Sequence, residues 1–122
     1  ITLASYVQKG FERDPLFLST GELLRMATLN GAQAQGRNDC GSLAEGMAAD
    51  LVIFDFSAPH MQPVYEPTVN LFTTAQSSDI ALTMVNGKAL YRDGSWPTLD
   101  IERIIREAQR IKDEKLELIQ SI

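Results

Sequence analysis

One histidine and one cysteine stand among the 122 residues of this chain, and that scarcity bounds its chemistry. A lone Cys40 cannot close an internal disulfide. A catalytic zinc generally needs three protein ligands drawn from His, Cys and carboxylates. His60 and Cys40 lie far apart and in no ligand motif. Long apolar runs are also missing: the longest is Leu51-Val52-Ile53-Phe54, against the ~20 residues needed to span a bilayer. Positive charge is short, with 11 Lys and Arg against 16 Asp and Glu, a net charge of −5 and a pI near 4.8. Nucleic acid and anionic membrane are excluded as partners, since both are bound through clustered Lys and Arg. No basic stretch followed by an apolar core opens the chain, so a reducing cytoplasm is the expected setting.

What is present suits one modest domain, burying roughly two-thirds of the surface that its unfolded form exposes. The chain opens with Ile1 rather than Met. Residues 1–10 read as a helix with Leu3, Tyr6 and Val7 on one face and Gly10 as its stop. No N-terminal signal precedes it, which is expected of a fragment. Asp14-Pro15 then breaks the chain. Ser19 and Glu22 have capping-box spacing and start a second helix, with Leu23, Leu24, Ala27 and Met26 as its apolar positions. Thr28 or Asn30 is placed to cap a short third helix, Gly31 to Gln35, which Gly36 ends in a left-handed conformation.

From Gly41 the pattern turns extended. Leu51–Phe54 is expected to be a buried strand. Pro59, Pro63 and Pro67 predict an irregular surface connection over 57–70. Ile80–Val85 and Lys88–Arg92 flank Asn86-Gly87, the dipeptide of a type I′ hairpin. Asp93-Gly94 makes a further turn. Asp100 is placed to cap a last helix with an apolar stripe of Ile101, Ile104, Ile105, Ala108, Ile111, Leu118, Ile119 and Ile122. Glu102/Arg106 and Arg110/Glu114 are spaced as exposed i,i+4 pairs. The stripe is expected to pack on its own chain rather than to form a dimer.

Candidate chemistry is sparse. His60 reads as a loop residue, Cys40 as structural, and Asp50 as a strand-start side chain that accepts turn N–H groups. Asp79, Asp93 and Asp100 fall at turns or caps and form no close acid pair. Gly41, Gly46 and Gly87 fit neither nucleotide-binding glycine pattern. No residue is therefore assigned as catalytic, metal-binding or substrate-binding.

Two segments carry a resemblance. Gly41-Ser42-Leu43-Ala44-Glu45-Gly46-Met47-Ala48-Ala49-Asp50-Leu51-Val52, followed by Met84-Val85-Asn86-Gly87-Lys88-Ala89-Leu90, resembles the tail of a metal-dependent amidohydrolase. Met26-Ala27-Thr28-Leu29-Asn30-Gly31-Ala32 and Pro59-His60 agree with it. The closest likeness is to the S-adenosylhomocysteine/5′-methylthioadenosine deaminase branch, beside triazine chlorohydrolases. Met47 departs where Lys is usual, and Gln35 where Leu is common.

The resemblance implies an α+β fragment: residues 1–38 are closing helices of a (β/α)8 TIM-like barrel, 39–97 the C-terminal part of a composite β-sandwich, and 98–122 an amphipathic helix. It implies that the parent enzyme deaminates or dechlorinates a purine-like or triazine-like ring with metal-activated water. The zinc or iron would be held by a His-x-His pair, two later histidines and an aspartate, all upstream of this chain. These residues alone would be inactive. The missing N-terminal part of the same protein is the expected partner, and a homo-oligomer the expected assembly. The competing reading is a non-enzymatic β-rich binding or oligomerisation module.

Overall fold

The computed structural model describes the backbone of residues 2–120 and side-chain burial over residues 2–116. It is a small α+β arrangement. Three helices lead, α1 (Thr2–Glu12), α2 (Thr20–Ala27) and α3 (Leu29–Ala34); β1 (Leu51–Phe54) follows, then α4 (Pro67–Thr73), the strands β2 (Ile80–Val85) and β3 (Lys88–Arg92), and α5 (Ile101–Gln120). The sheet is antiparallel in the order β1-β2-β3. Among the described residues no helix is long and apolar enough to cross a membrane.

Local chemistry accounts for most boundaries. Asp14 turns the chain after α1 by accepting the Leu16 N–H on its side chain (2.8 Å) and the Phe17 N–H on its carbonyl (3.2 Å). Ser19 and Glu22 form the expected reciprocal box, with Glu22 Oε2 accepting the Ser19 N–H at 2.8 Å. Asn86 (φ 48) and Gly87 (φ 75) both take the left-handed region that the two-residue hairpin requires. Asp100 Oδ1 accepts the Arg103 N–H at 2.9 Å and starts α5.

Other boundaries differ from expectation. Helix α1 runs through Gly10 to Glu12, because an interior glycine costs a helix only about 1 kcal/mol. Arg13, at φ 53, takes the left-handed position after it instead. The expected start at Ile1 lies outside the described residues. Helix α3 starts at Leu29 and ends at Ala34, with Gly36 left-handed beyond it. Thr28 holds the cap position, yet its hydroxyl donates back to the Leu24 carbonyl (2.7 Å) and caps nothing. Ala27 and Met26 are exposed, so the buried face of α2 narrows to Leu23 and half-buried Leu24.

The connection over 57–70 is more ordered than its prolines suggest. Pro59 opens a 3-10 helix, Pro59–Met61, and Pro67 occupies the first turn of α4, where its absent N–H goes unmissed. Among the described residues Met61 is the most deeply buried. Asn70 Nδ2 donates to the Met61 carbonyl at 2.8 Å, and Thr74 Oγ1 lies 3.5 Å from its sulfur.

Two expected burials are absent. Val52 and Ile53 are each 49% exposed, because β1 is an edge strand with a neighbour on one side only. All of residues 102–116 are exposed, so Ile104, Ile105 and Ile111 do not pack on their own chain. Among the described residues of α5, Ile101 at its start is the one that is half-buried, so the helix leaves the rest of the chain from its first turn. Leu118, Ile119 and Ile122 lie outside the residues whose side chains are described.

Gly41 is where the loop that leads to the sheet approaches α3. It sits at φ +91, and a Cβ there would stand 2.9 Å from Leu29 Cα and 3.1 Å from Ala32 Cβ. Gly41→Ala therefore combines backbone strain with a clash, and should destabilise the protein by roughly 2–3 kcal/mol, read as a shift in the urea midpoint. An unchanged midpoint would show that α3 and the loop part without cost.

Candidate functional site

Polar side chains converge at two places. The first joins the segment after α3 to the sheet. Arg37 bonds both Asp39 oxygens, through Nε and Nη2 at 3.1 Å each, and reaches Asp50 Oδ2 through Nη1 at 3.2 Å. The second Asp50 oxygen accepts the Asn86 N–H at 2.7 Å, and the Ala49 carbonyl accepts the Gly87 N–H at 3.0 Å. Asp39 is held below the usual carboxylate range, mainly by the Arg37 hydrogen bond. Arg37 is correspondingly held charged, first by Asp39. Asp50 thus accepts a turn N–H, as its place in the sequence predicts. Arg37 had no sequence signal, since its partner Asp50 is thirteen residues away.

The second place is the pair His60 and Asp79. His60 lies in the 3-10 helix Pro59–Met61, and Asp79 ends another, Ser77–Asp79, that feeds β2. His60 Nε2 is 2.8 Å from Asp79 Oδ2, and the same oxygen accepts the Gln76 N–H at 2.8 Å. The Asp79 side chain is 5% exposed and that of His60 38%. The carboxyl is held below its ordinary range, first by the Gln76 N–H and then by His60. The Asp79 carbonyl also accepts the Asp55 N–H at 2.7 Å.

A histidine oriented by a carboxylate can serve as a base, but only with a nucleophile in reach. Among the described residues the imidazole has Asp79 as its hydrogen-bond partner and no hydroxyl or thiol. The pair braces the segment 59–79, tying one 3-10 helix to the other. Cys40 is buried and unpaired. Asp93 lies in the turn after β3 at φ 45, and Asp100 caps α5. The structure does not bring these groups together. Among the described residues no three of His, Cys, Asp and Glu stand close enough to hold a metal, and both Asp50 oxygens and His60 Nε2 are already engaged. The donor set does not fit a metal ion.

The Amidohydrolase family profile matches residues 2–90. The chain belongs to the amidohydrolase family. It is 42% identical over 107 residues to a 5-methylthioadenosine/S-adenosylhomocysteine deaminase of Pelotomaculum thermopropionicum, covering 88% of this chain and 25% of that protein. A 5′-deoxyadenosine deaminase of Methanosarcina mazei is 37% identical over 108 residues, with the same two shares. Among solved structures, an adenosine deaminase from Xanthomonas campestris with bound zinc superposes at a TM-score of 0.87 and 29% identity, over 93% of this chain and 26% of that one. An atrazine chlorohydrolase from Arthrobacter aurescens, complexed with zinc, gives 0.70 at 36% identity, over 76% and 20%. The amidohydrolase chain described here thus spans about a quarter of the length of the curated relatives it matches.

Within this amidohydrolase frame both polar junctions make measurable contributions. Asp50→Ala removes the acceptor of the Asn86 N–H and should destabilise the protein by roughly 1.5 kcal/mol in urea unfolding. Asp50→Asn, which keeps one acceptor oxygen, should cost less; equal costs would mean that the hairpin bond contributes nothing. Because the carboxyl of Asp79 is depressed by folding, its contribution is complete above the unfolded carboxylate value near 4 and is lost as pH falls through the folded one. Asp79→Asn should therefore flatten the fall of the urea midpoint below about pH 4 and leave the slope above pH 5 unaltered.

Proposed function

We propose that this chain is the C-terminal quarter of an amidohydrolase that deaminates an adenosine derivative of the 5′-methylthioadenosine, S-adenosylhomocysteine or 5′-deoxyadenosine kind. The observation that carries this reading is the 42% identity to a deaminase across 88% of the chain. The 37% identity to a 5′-deoxyadenosine deaminase points to the same substrate class. Water replaces the exocyclic amino group of the purine ring, which leaves as ammonia.

The division suggested by the sequence belongs to this proposal: 1–38 as closing barrel helices, 39–97 as the C-terminal part of a composite sandwich, and 98–122 as a packing helix. So do a cytoplasmic setting and a homo-oligomeric enzyme. None of the residues here touches substrate or metal in this reading. The zinc or iron belongs to residues outside the chain, and no step of the reaction falls to His60, Cys40 or Asp50. Their work is to hold the flanking sheet against the closing helices.

The triazine enzyme supplies a second reading, dechlorination, favoured by 36% identity over 76% of the chain. The two separate in one assay. The whole protein, incubated with 5′-methylthioadenosine, S-adenosylhomocysteine, 5′-deoxyadenosine and atrazine, should release ammonia from at least one nucleoside and no chloride from atrazine. Chloride release without ammonia would replace the first reading by the second, and neither product would sink both.

A further inference from the structure

Four asparagines stand in the chain, and two of them, Asn30 and Asn86, are followed by glycine. An asparagine in that position can react with its own main chain. The glycine amide nitrogen attacks the side-chain carbonyl carbon and closes a cyclic imide, and no Cβ on the glycine obstructs the approach. Asn86 and Gly87 are both exposed, and open space surrounds the place that a Cβ on Gly87 would occupy. Asn30-Gly31 is differently placed. It lies in the first turn of α3, and a Cβ on Gly31 would stand 3.3 Å from the Met26 carbonyl oxygen.

The hairpin opposes ring closure at Asn86 through its geometry. An imide brings Asn86 Cβ and Gly87 N to the same side of the Asn86 Cα–C bond, whereas the type I′ turn, with φ 48 at Asn86 and 75 at Gly87, sets them on opposite sides. The peptide between the two residues must therefore rotate before they react. That rotation carries the Gly87 N–H away from the Ala49 carbonyl, which accepts it at 3.0 Å. It also disturbs the neighbouring bond from the Asn86 N–H to Asp50 Oδ1, at 2.7 Å. Two acceptors on adjacent residues thus hold the reactive peptide in an unreactive orientation.

We propose that Asn86 is a site of spontaneous deamidation whose rate is set by the clamp that Ala49 and Asp50 place on the hairpin turn. When the clamp opens, the Gly87 amide gives its proton to solvent hydroxide and its nitrogen bonds to Asn86 Cγ. The Cγ–Nδ2 bond breaks, and the leaving nitrogen takes a proton from water and departs as ammonia. Water then opens the imide at either carbonyl, so the net change is asparagine plus water to aspartate or isoaspartate plus ammonia. The isoaspartyl product adds one carbon to the main chain of a two-residue turn and sets a carboxylate near that of Asp50. Both changes loosen the junction that Asp50 makes.

Ageing the whole protein in mildly alkaline buffer, with mass spectrometry of the peptides that hold Asn30 and Asn86, tests this. Aspartyl and isoaspartyl products at Asn86 should accumulate in the native protein at least about tenfold more slowly than in guanidinium chloride, since reaction waits on local opening. Asp50→Ala should raise the native rate at Asn86 by about tenfold, as the loss of one hydrogen bond to a charged acceptor implies, and leave that at Asn30 within about twofold. Asp50→Asn, which keeps an acceptor oxygen, should stay within about threefold of the unsubstituted protein. Equal rates at Asn86 in native and denatured protein overturn the proposal, because the clamp then controls nothing. So does equal acceleration of Asn30 and Asn86 in Asp50→Ala, which assigns the effect to global unfolding. An Asn86 that stays intact in the native Asp50→Ala protein, over a period that converts it in denaturant, overturns it as well.

Discussion

Asp50 holds the helical part of this chain to its sheet. One carboxylate oxygen takes the N–H of the hairpin turn and the other takes the guanidinium that leaves α3. Neither contact is deeply buried, so neither is individually large. Their effect comes from geometry. They tie the two ends of the loop from Arg37 to Asp50, which in between passes against Leu29 and Ala32 at Gly41, where there is no room for a side chain. An apolar pair could not orient the two layers so closely, because dispersion is nearly indifferent to rotation and a forked guanidinium is not.

The segment between β1 and β2 follows the same logic. It crosses the surface with three prolines and little apolar cover, and is ordered by polar braces: Asn70 on the Met61 carbonyl, Gln62 on the Phe56 carbonyl, and His60 on Asp79. Around these braces Met61 is fully buried. A chain of this size ordinarily buries more. The exposed faces of α1, β1 and α5 are the complement of that small core: Leu3, Val7, Phe11, Val52, Ile53 and Ile111 all stand at least half exposed or close to it. Surface of this kind favours association.

Much of the local structure was legible from the chain alone, where one residue type answers one backbone demand. Ser19 with Glu22, Asn86-Gly87, Asp100 and Gly36 needed no long-range information. Gly10 and Pro67 misled for the same physical reason. Each is a breaker by residue type alone, although a helix tolerates glycine at modest cost and accepts proline in its first turn. The buried reading of Leu51–Phe54 was sound about composition and silent about neighbours, since an apolar strand does not say which strands flank it.

The sequence by itself determined the family, through its glycine-framed turn and hairpin, and bounded the imidazole and thiol groups at one each, because residues can be counted without a fold. Only the tertiary structure decided what the few polar residues do. His60 finds Asp79 nineteen positions away and Arg37 finds Asp50 thirteen away. Which acceptors hold the hairpin turn was likewise decided there, by where Ala49 and Asp50 meet it. Such pairings depend on how elements are brought together in space, and separation along the chain does not encode that.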